Sequence, residues 1–268
     1  MKLAAGTAAA AAASSVINAF AVEPKWIKIT TPTIPIPNLP PAWDGVRIAQ
    51  LTDIHVGRLI NLDYVRRAVE KTKAAKPDLI VLTGDYVSRT DAIDDNLAEA
   101  LGRLSAPHGK FAVLGNHDHW TDPVAMLLVL EKAGITNLTN RHTILDRGGA
   151  RLCLAGVDDL WEGRQDLAGA LSGVDEDVPR VLLCHNPDYA EQMPMVPRVD
   201  LMLAGHSHGG QFKIPFGPRP RLPIRYAKYA AGLAAGPHCP VYTSVGLGMV
   251  GIPIRFNCRP ELTIITLR

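Results

Sequence analysis

The residues able to do chemistry stand in five short clusters, each at the end of an apolar run. Residues 46–51 lead into Thr52-Asp53-Ile54-His55, 79–83 into Gly84-Asp85, and 111–114 into Gly115-Asn116-His117-Asp118. Residues 181–184 lead into His185-Asn186, and 201–204 into Gly205-His206-Ser207-His208-Gly209-Gly210-Gln211. Asp53 and His55 are two apart in a chain leaving a strand, so both side chains point to one side and can grip one cation. His206 and His208 share that spacing. A carboxylate such as Asp85 has two oxygens and can bridge two cations held roughly 3.5–4 Å apart, as in hydrolytic two-metal sites. Imidazole, carboxylate and amide donors without thiolate suit Mn, Fe or Zn rather than the oxygen cages of Ca or Mg. Gly84, Gly115 and Gly205 directly precede these residues, where a chain turning out of a strand needs freedom in φ. An Asp-x-His or a Gly-Asp alone is commonly a cap or turn. Five such clusters in order, all after strands, have no ordinary structural reason.

The elements that position them read as α/β. Strand-like runs at 46–51, 79–83 and 111–114 alternate with helix-like segments at 63–75, 93–104 and 123–133. The second half is richer in strands, at 143–145, 151–155, 181–184, 201–204, 241–244 and 262–267, with short helices at 167–171 and 189–193. This pattern predicts two face-to-face mixed β-sheets flanked by helices, a four-layer α-β-β-α sandwich with its ligands at strand ends.

Composition bounds the rest. A chain of 268 residues with 47% hydrophobic and 20% charged residues is an ordinary globular one, neither disordered nor polytopic. A net charge of +2 is too small for a dedicated nucleic-acid binder, so no nucleic-acid partner is expected and any anionic substrate must be recognised locally. No protein partner is predicted. Lys2 precedes an uncharged, Ala-rich stretch ending in Ala19-Phe20-Ala21, which reads as an export signal over 1–21 or, uncleaved, as a weak membrane anchor. A disordered Ala-rich leader is the bland alternative, and no twin arginine is present. The expected location is exported, periplasmic or membrane-associated. Prolines between Thr31 and Pro41 predict an extended connector over 22–42, with the domain proper at 43–268. Buried thiols are the default for the four cysteines; Cys239 and Cys258 flank an expected C-terminal hairpin, which leaves one disulfide open.

The order D-x-H, G-D, G-N-H-D, a lone H and G-H-x-H resembles the calcineurin-like metallophosphoesterase superfamily, from about Val46 to Arg268. Gly-His-Ser-His-Gly-Gly-Gln, Gly246-Leu247-Gly248 and Arg259-Pro260-Glu261-Leu262 look like a bacterial membrane- or envelope-associated branch, some of whose members act on UDP-diacylglucosamine. The resemblance implies that Asp53, His55 and His208 hold a first metal, that Asp85 bridges, and that Asn116, His185 and His206 complete a second. It implies that a hydroxide between the metals attacks phosphorus in line, with His117 acting as general acid or transition-state stabiliser rather than as a ligand. The implied substrate is a phosphate monoester or diester, with a nucleotide-sugar or lipid-linked pyrophosphate as the alternative. A non-catalytic binding module of this fold would have lost ligands, and none of the expected ones is missing.

Gly84-Asp85-Tyr86-Val87-Ser88-Arg89 departs from the protein Ser/Thr phosphatase pattern: Ser88 stands where that subgroup has an Asp paired with its catalytic His, so Arg89 is not taken as a phosphate clamp. His119 is a candidate substrate contact or a solvated loop histidine. Asp158-Asp159 reads as an ordinary turn. Between Phe212 and Ala235 prolines predict an irregular loop; it carries Arg219, Arg221 and Arg225 among aromatics and no acid, candidates to bind an anionic, partly apolar substrate or an anionic membrane surface.

Overall fold

The computed structural model describes residues 14–215, 217 and 221–268; residues 1–13 of the expected leader and Arg219 of the basic loop lie outside them. Two sheets pack face to face. The first runs β1 (Lys28–Thr30), β13 (Glu261–Leu267), β3 (Arg47–Leu51), β4 (Leu79–Thr83), β5 (Lys110–Val113), β6 (Thr136–Asn137), with β2 (Thr33–Ile34) also on β13. The second runs β11 (Gly232–Ala235), β12 (Pro240–Thr243), β10 (Leu201–Ala204), β9 (Arg180–Leu183), β8 (Ala150–Gly156), β7 (Arg141–Arg147). Pairs β3–β4–β5–β6 and β8–β9–β10–β12 are parallel, while β13 on β3, β11 on β12 and β7 on β8 are antiparallel.

Both faces of the central strands are buried, which is why they read as continuous apolar runs rather than as alternation. The period of two still decides direction. In β4, Leu79 and Val81 face the second sheet and share one core cluster with Leu154, Val181, Leu183, Leu201 and Leu203, whereas Ile80 and Leu82 face the helices. Those helices are α1 (Leu62–Ala74), α2 (Asp95–Gly102) and α4 (Pro123–Lys132), the last preceded by the short α3 (Asn116–Thr121). Helix α1 buries Tyr64, Val65, Ala68, Val69 and Thr72, an i, i+4, i+8 stripe. Asn61, Asp94 and Asp122 cap α1, α2 and α4 by accepting from Tyr64, Leu97 and Ala125 N–H, each cap contributing about 1 kcal/mol. The far layer is thinner: α5 (Leu167–Ala170) and 3₁₀ turns such as Pro187–Glu191 cover Leu182, Met202 and Val241.

Three sequence expectations change. The helix expected at 189–193 is a 3₁₀ turn begun at Pro187. The Pro-rich segment runs extended but pairs in parallel with β13 through 28–30 and 33–34, so it forms an edge of the first sheet, where proline costs no ladder bond. Cys239 and Cys258 flank no hairpin, because β12 and β13 belong to different sheets; all four cysteines are buried free thiols.

Residues 14–22 are helical and lie against the C-terminal loop: the Ala19 carbonyl accepts from Arg255 N–H at 3.1 Å, and buried Glu23 accepts from Cys258 N–H at 2.6 Å. Arg255 itself is fully buried, and its guanidinium donates to the main-chain carbonyls of Val245, Gly246, Gly248 and Cys258 at 2.6–3.2 Å. Removing it strands several buried acceptors, at roughly 1–3 kcal/mol each. We expect Arg255→Ala to lower the melting temperature by at least roughly 6–12 °C, taking the low end of that range, a total near 3 kcal/mol, for a chain of this size. Thermal denaturation followed by circular dichroism measures it, and an unchanged midpoint would show that the loop does not need this cation.

Candidate metal centre

The five clusters leave the carboxyl ends of β3, β4 and β5 in the first sheet and of β9 and β10 in the second. Asp53, His55, Asp85, His206 and His208 all have φ between 51° and 65°, the left-handed region, which costs non-glycine residues about 1–3 kcal/mol each. The strain sits in these residues more than in the glycines before them. Gly84 does need its positive φ of 92°. Gly115 and Gly205 are required for space instead: a Cβ at Gly115 would stand 2.3 Å from Asp85 Oδ1, and one at Gly205 would stand 2.2 Å from Thr52 Oγ1 and 2.3 Å from Asp53 Oδ2. Main-chain bonds hold the turns together, Asp53 N–H to Gly84 O and His55 N–H to Asp85 O, both at 3.0 Å.

Three of the four imidazoles are oriented by a partner on the outer nitrogen, while the outer Nδ1 of His208 is buried without one. His55 Nδ1 lies 2.9 Å from Ser88 Oγ, His185 Nδ1–H donates to Thr83 O at 2.7 Å, and His206 Nε2–H donates to Pro223 O at 3.0 Å. The opposite nitrogens are thereby turned inward, as in metal sites, where the other ring N–H is fixed by a carbonyl or hydroxyl. His55 Nε2 is 3.0 Å from His208 Nε2, and His208 Nε2 is 3.1 Å from Asp53 Oδ1. His185 Nε2 is 3.1 Å from His206 Nδ1. Asp85 Oδ2 joins the two groups, 3.4 Å from His55 Nε2 and 3.2 Å from His185 Nε2. Asp53, His55 and His208 thus form one candidate metal cluster and Asp85, His185 and His206 another, the ligand atoms of each lying within 4.8 Å of one another.

Two observations fit a cation here. Asn116 Oδ1 is buried without a hydrogen-bond partner, although an unmatched buried acceptor is costly. Both carboxyls and two of the imidazoles also suit metal binding, which needs ionised carboxylates and neutral imidazoles. Burial would raise the Asp53 and Asp85 carboxyls, but the imidazoles of His208 and His185 hold both well below the usual range. Burial pushes His55 and His206 down to about 3. His185 is the exception: burial opposes its charge, but adjacent Asp85 prevails and raises it well above the ordinary value.

His117 is partly exposed while the ligand candidates are buried. Its N–H donates to Asp85 Oδ1 at 2.8 Å, and its ring stands edge-on to His55 with centroids 4.6 Å apart. Burial lowers its pKa. His117 also lies within ligand range together with His55 and Asp85. His119 does not face the cluster; its Nε2 pairs with Asp158 Oδ1 at 2.9 Å, so Asp158 is more than a turn residue. Arg221 and Arg225 are exposed, and the Arg225 guanidinium lies over Tyr226, 5.8 Å from the ring centre. The basic loop reaches the centre through its main chain instead, at Pro223 O. Ser88 supports His55, and Arg89 forms a fork with Asp91 at 2.7–2.8 Å.

Sequence reasoning missed Asp118. Fully buried, it accepts from Asp85, Tyr86 and Gly115 N–H at 2.8–2.9 Å, and burial with Asp85 beside it pushes its carboxyl up to about 7. It stood in the quoted Gly-Asn-His-Asp, but nothing in the sequence says that this Asp faces amides. Missed too was the role of Gly246 and Gly248, which let the C-terminal loop press on Asp53: a Cβ at Gly246 would lie 2.5 Å from Asp53 Cβ.

Comparison with known proteins agrees with this geometry. The model of the calcineurin-like phosphoesterase family matches residues 46–210, the stretch that holds every ligand candidate. The chain is 36% identical over 253 residues to the uncharacterized metallophosphoesterase YkuE of Bacillus subtilis, covering 92% of this chain and 87% of that one. It is 36% identical over 225 residues to the phosphodiesterase YaeI of Escherichia coli, covering 82% of each. Among solved structures, the 5'-nucleotidase precursor of Thermus thermophilus shares the fold with a TM-score of 0.50 at 14% identity, over 76% of this chain and 49% of that chain. A strand-end cluster of Asp, His and Asn on this sandwich, and relatives this similar over nearly the whole length, place the chain in the calcineurin-like phosphoesterase family, as a metal-dependent hydrolase of phosphate esters.

Proposed function

We propose that the chain hydrolyses phosphodiesters at a centre of two cations drawn from Mn, Fe and Zn. The observation that carries this is the position of Asp85 Oδ2 between His55 Nε2 and His185 Nε2, at 3.4 and 3.2 Å, where one carboxylate can serve two ions. The likeness to a relative named a phosphodiesterase supports the diester. Asp53, His55 and His208 hold one ion, Asn116, His185 and His206 the other, and Asp85 both. The ions supply Lewis acidity and lower the pKa of water.

The protein's part is placement and proton transfer. Asp118 fixes the Asp85 turn, and Ser88, Thr83 and Pro223 fix the imidazoles. His117, the partly exposed member, would pass a proton to the leaving oxygen as the P–O bond to that oxygen breaks and water's oxygen forms the new one, and the proton that the attacking water gives up would restore the one His117 has passed on.

A second reading, an amphiphilic lipid-linked phosphate met at a membrane surface, is favoured by one patch. Val16, Ile17, Phe20, Val22, Phe212, Ile214 and Ile252 are all exposed on segments that hydrogen-bond to one another through Ala19–Arg255 and Lys213–Phe256. Among the described residues no helix is long and apolar enough to cross a membrane. Export and surface attachment belong to this second reading.

Two outcomes test the centre. Asp85→Asn should reduce phosphodiester turnover to background and bring bound metal, measured by elemental analysis, below two ions per chain; full activity or unchanged stoichiometry would rule out the shared carboxylate. His117→Ala should keep its metals and lose roughly 10²–10⁴-fold in kcat, less for esters with good leaving groups. A collapse of metal content in that variant would make His117 a ligand instead. Comparing a chromogenic diester with a UDP-linked lipid separates the first reading from the second.

A further inference from the structure

Two tryptophans stand at the mouth of the centre. Trp120 and Trp161 are 53% and 47% exposed, although indoles normally bury their large apolar surface. Trp120, in α3, sits with its ring 4.7 Å from that of His117. Trp161, in the turn after β8, presents its face or edge to His206 at 4.4 Å with the rings nearly perpendicular. The indoles are close to parallel, 28° apart, with centroids separated by 6.5 Å. They span the mouth from the proposed proton donor to a metal-ligand candidate.

Their placement is built into the backbone. The His119–Asp158 pair, at 2.9 Å and largely out of solvent, clamps α3 to the turn that carries Trp161. Buried Asp159 accepts from Trp161 and Glu162 N–H at 2.8 and 3.1 Å, which shapes that turn. Exposed aromatic surface fixed beside a reaction centre is a binding feature rather than a packing one.

We propose that Trp120 and Trp161 form a leaving-group subsite for a flat aromatic ring, so that the preferred substrate is a phosphodiester whose departing group is aryl or heteroaryl. The assignment rests on the phosphodiesterase reading and on the place of His117: the group that protonates the leaving oxygen stands against Trp120, so whatever leaves must leave along the indoles. Two near-parallel π faces favour a planar ring over a flexible chain.

The test uses the full chain with its metal content measured, and two methyl phosphodiesters whose departing alcohols are of similar acidity, phenyl and hexafluoroisopropyl. Trp120→Ala and Trp161→Ala should lower kcat/KM for the phenyl ester roughly 10–100-fold, the scale of losing one aromatic stack, and the hexafluoroisopropyl ester by roughly ten times less. Trp161→Phe should recover most of the loss. Equal losses on both esters, or none on either, overturn the subsite. If the unaltered protein cleaves neither ester, the phosphodiesterase reading fails, and calorimetric binding then decides the subsite by itself. Phenylphosphonate should bind tighter than methylphosphonate, and Trp120→Ala should erase that preference; no preference in the unaltered protein refutes the aromatic subsite.

Discussion

Asp118 accepts three main-chain N–H bonds, from Asp85, Tyr86 and Gly115, and through them ties the turn after β4 to the turn after β5. Asp85 is held in a left-handed conformation that its own backbone would not choose, and its carboxylate is the atom group through which the two ligand clusters touch. A buried carboxyl costs desolvation energy, and here amide donors on three sides offset it. Replacing Asp118 would leave those amides unmatched in the interior, so the shared ligand, the neighbouring Gly115–Asn116–His117 segment and the entry to α3 all depend on one side chain.

The centre also depends on the fit between the sheets. The first sheet supplies Asp53, His55, Asp85 and Asn116; the second supplies His185, His206 and His208. Several bonds cross between them: buried Gln50 Nε2–H donates to Ala204 O at 2.9 Å, His185 Nδ1–H to Thr83 O at 2.7 Å, and His206 N–H to the Asp53 carboxylate at 3.0–3.1 Å. Interdigitated Leu, Val and Ile side chains between the sheets fix their separation, so core packing sets distances among ligands that are remote in sequence. A one-residue slip of any central strand would turn its apolar set around and carry its ligands away from the cluster.

Much of this arrangement was legible in the sequence because each ligand candidate lies within a few residues of the apolar strand that delivers it. Local pattern carried the strands and the order of the motifs. It could not carry what depends on contacts between distant segments. Gly115 and Gly205 looked like residues needing backbone freedom, yet what excludes a side chain is Asp85 in one case and Thr52 with Asp53 in the other. Nothing in the local pattern around Arg255 marks it, yet in the fold it organises the carbonyls of Val245, Gly246, Gly248 and Cys258. The prolines of 31–41 suggested a connector because a sheet edge accepts proline without leaving a mark in the sequence. Cys239 and Cys258 suggested a hairpin because adjacency in sequence does not reveal that the chain changes sheets between them.

Among the described residues no guanidinium stands in the centre, and the electrostatics make one unnecessary. Arg89 is taken up by Asp91, and the described arginines of the loop after His208 are exposed. In the proposed ligand set Asp53 and Asp85 are ionised, and the remaining donors are imidazoles and one amide. Two dications in that proposed set would outweigh two carboxylates, so the loaded centre would carry surplus positive charge inside a buried, low-dielectric surround where that charge acts strongly. A phosphodiester, the proposed substrate, with a single negative charge, would be attracted by that excess alone. Neutral surface at the mouth is then free to discriminate the groups flanking phosphorus, and the exposed indoles of Trp120 and Trp161 are positioned to do so.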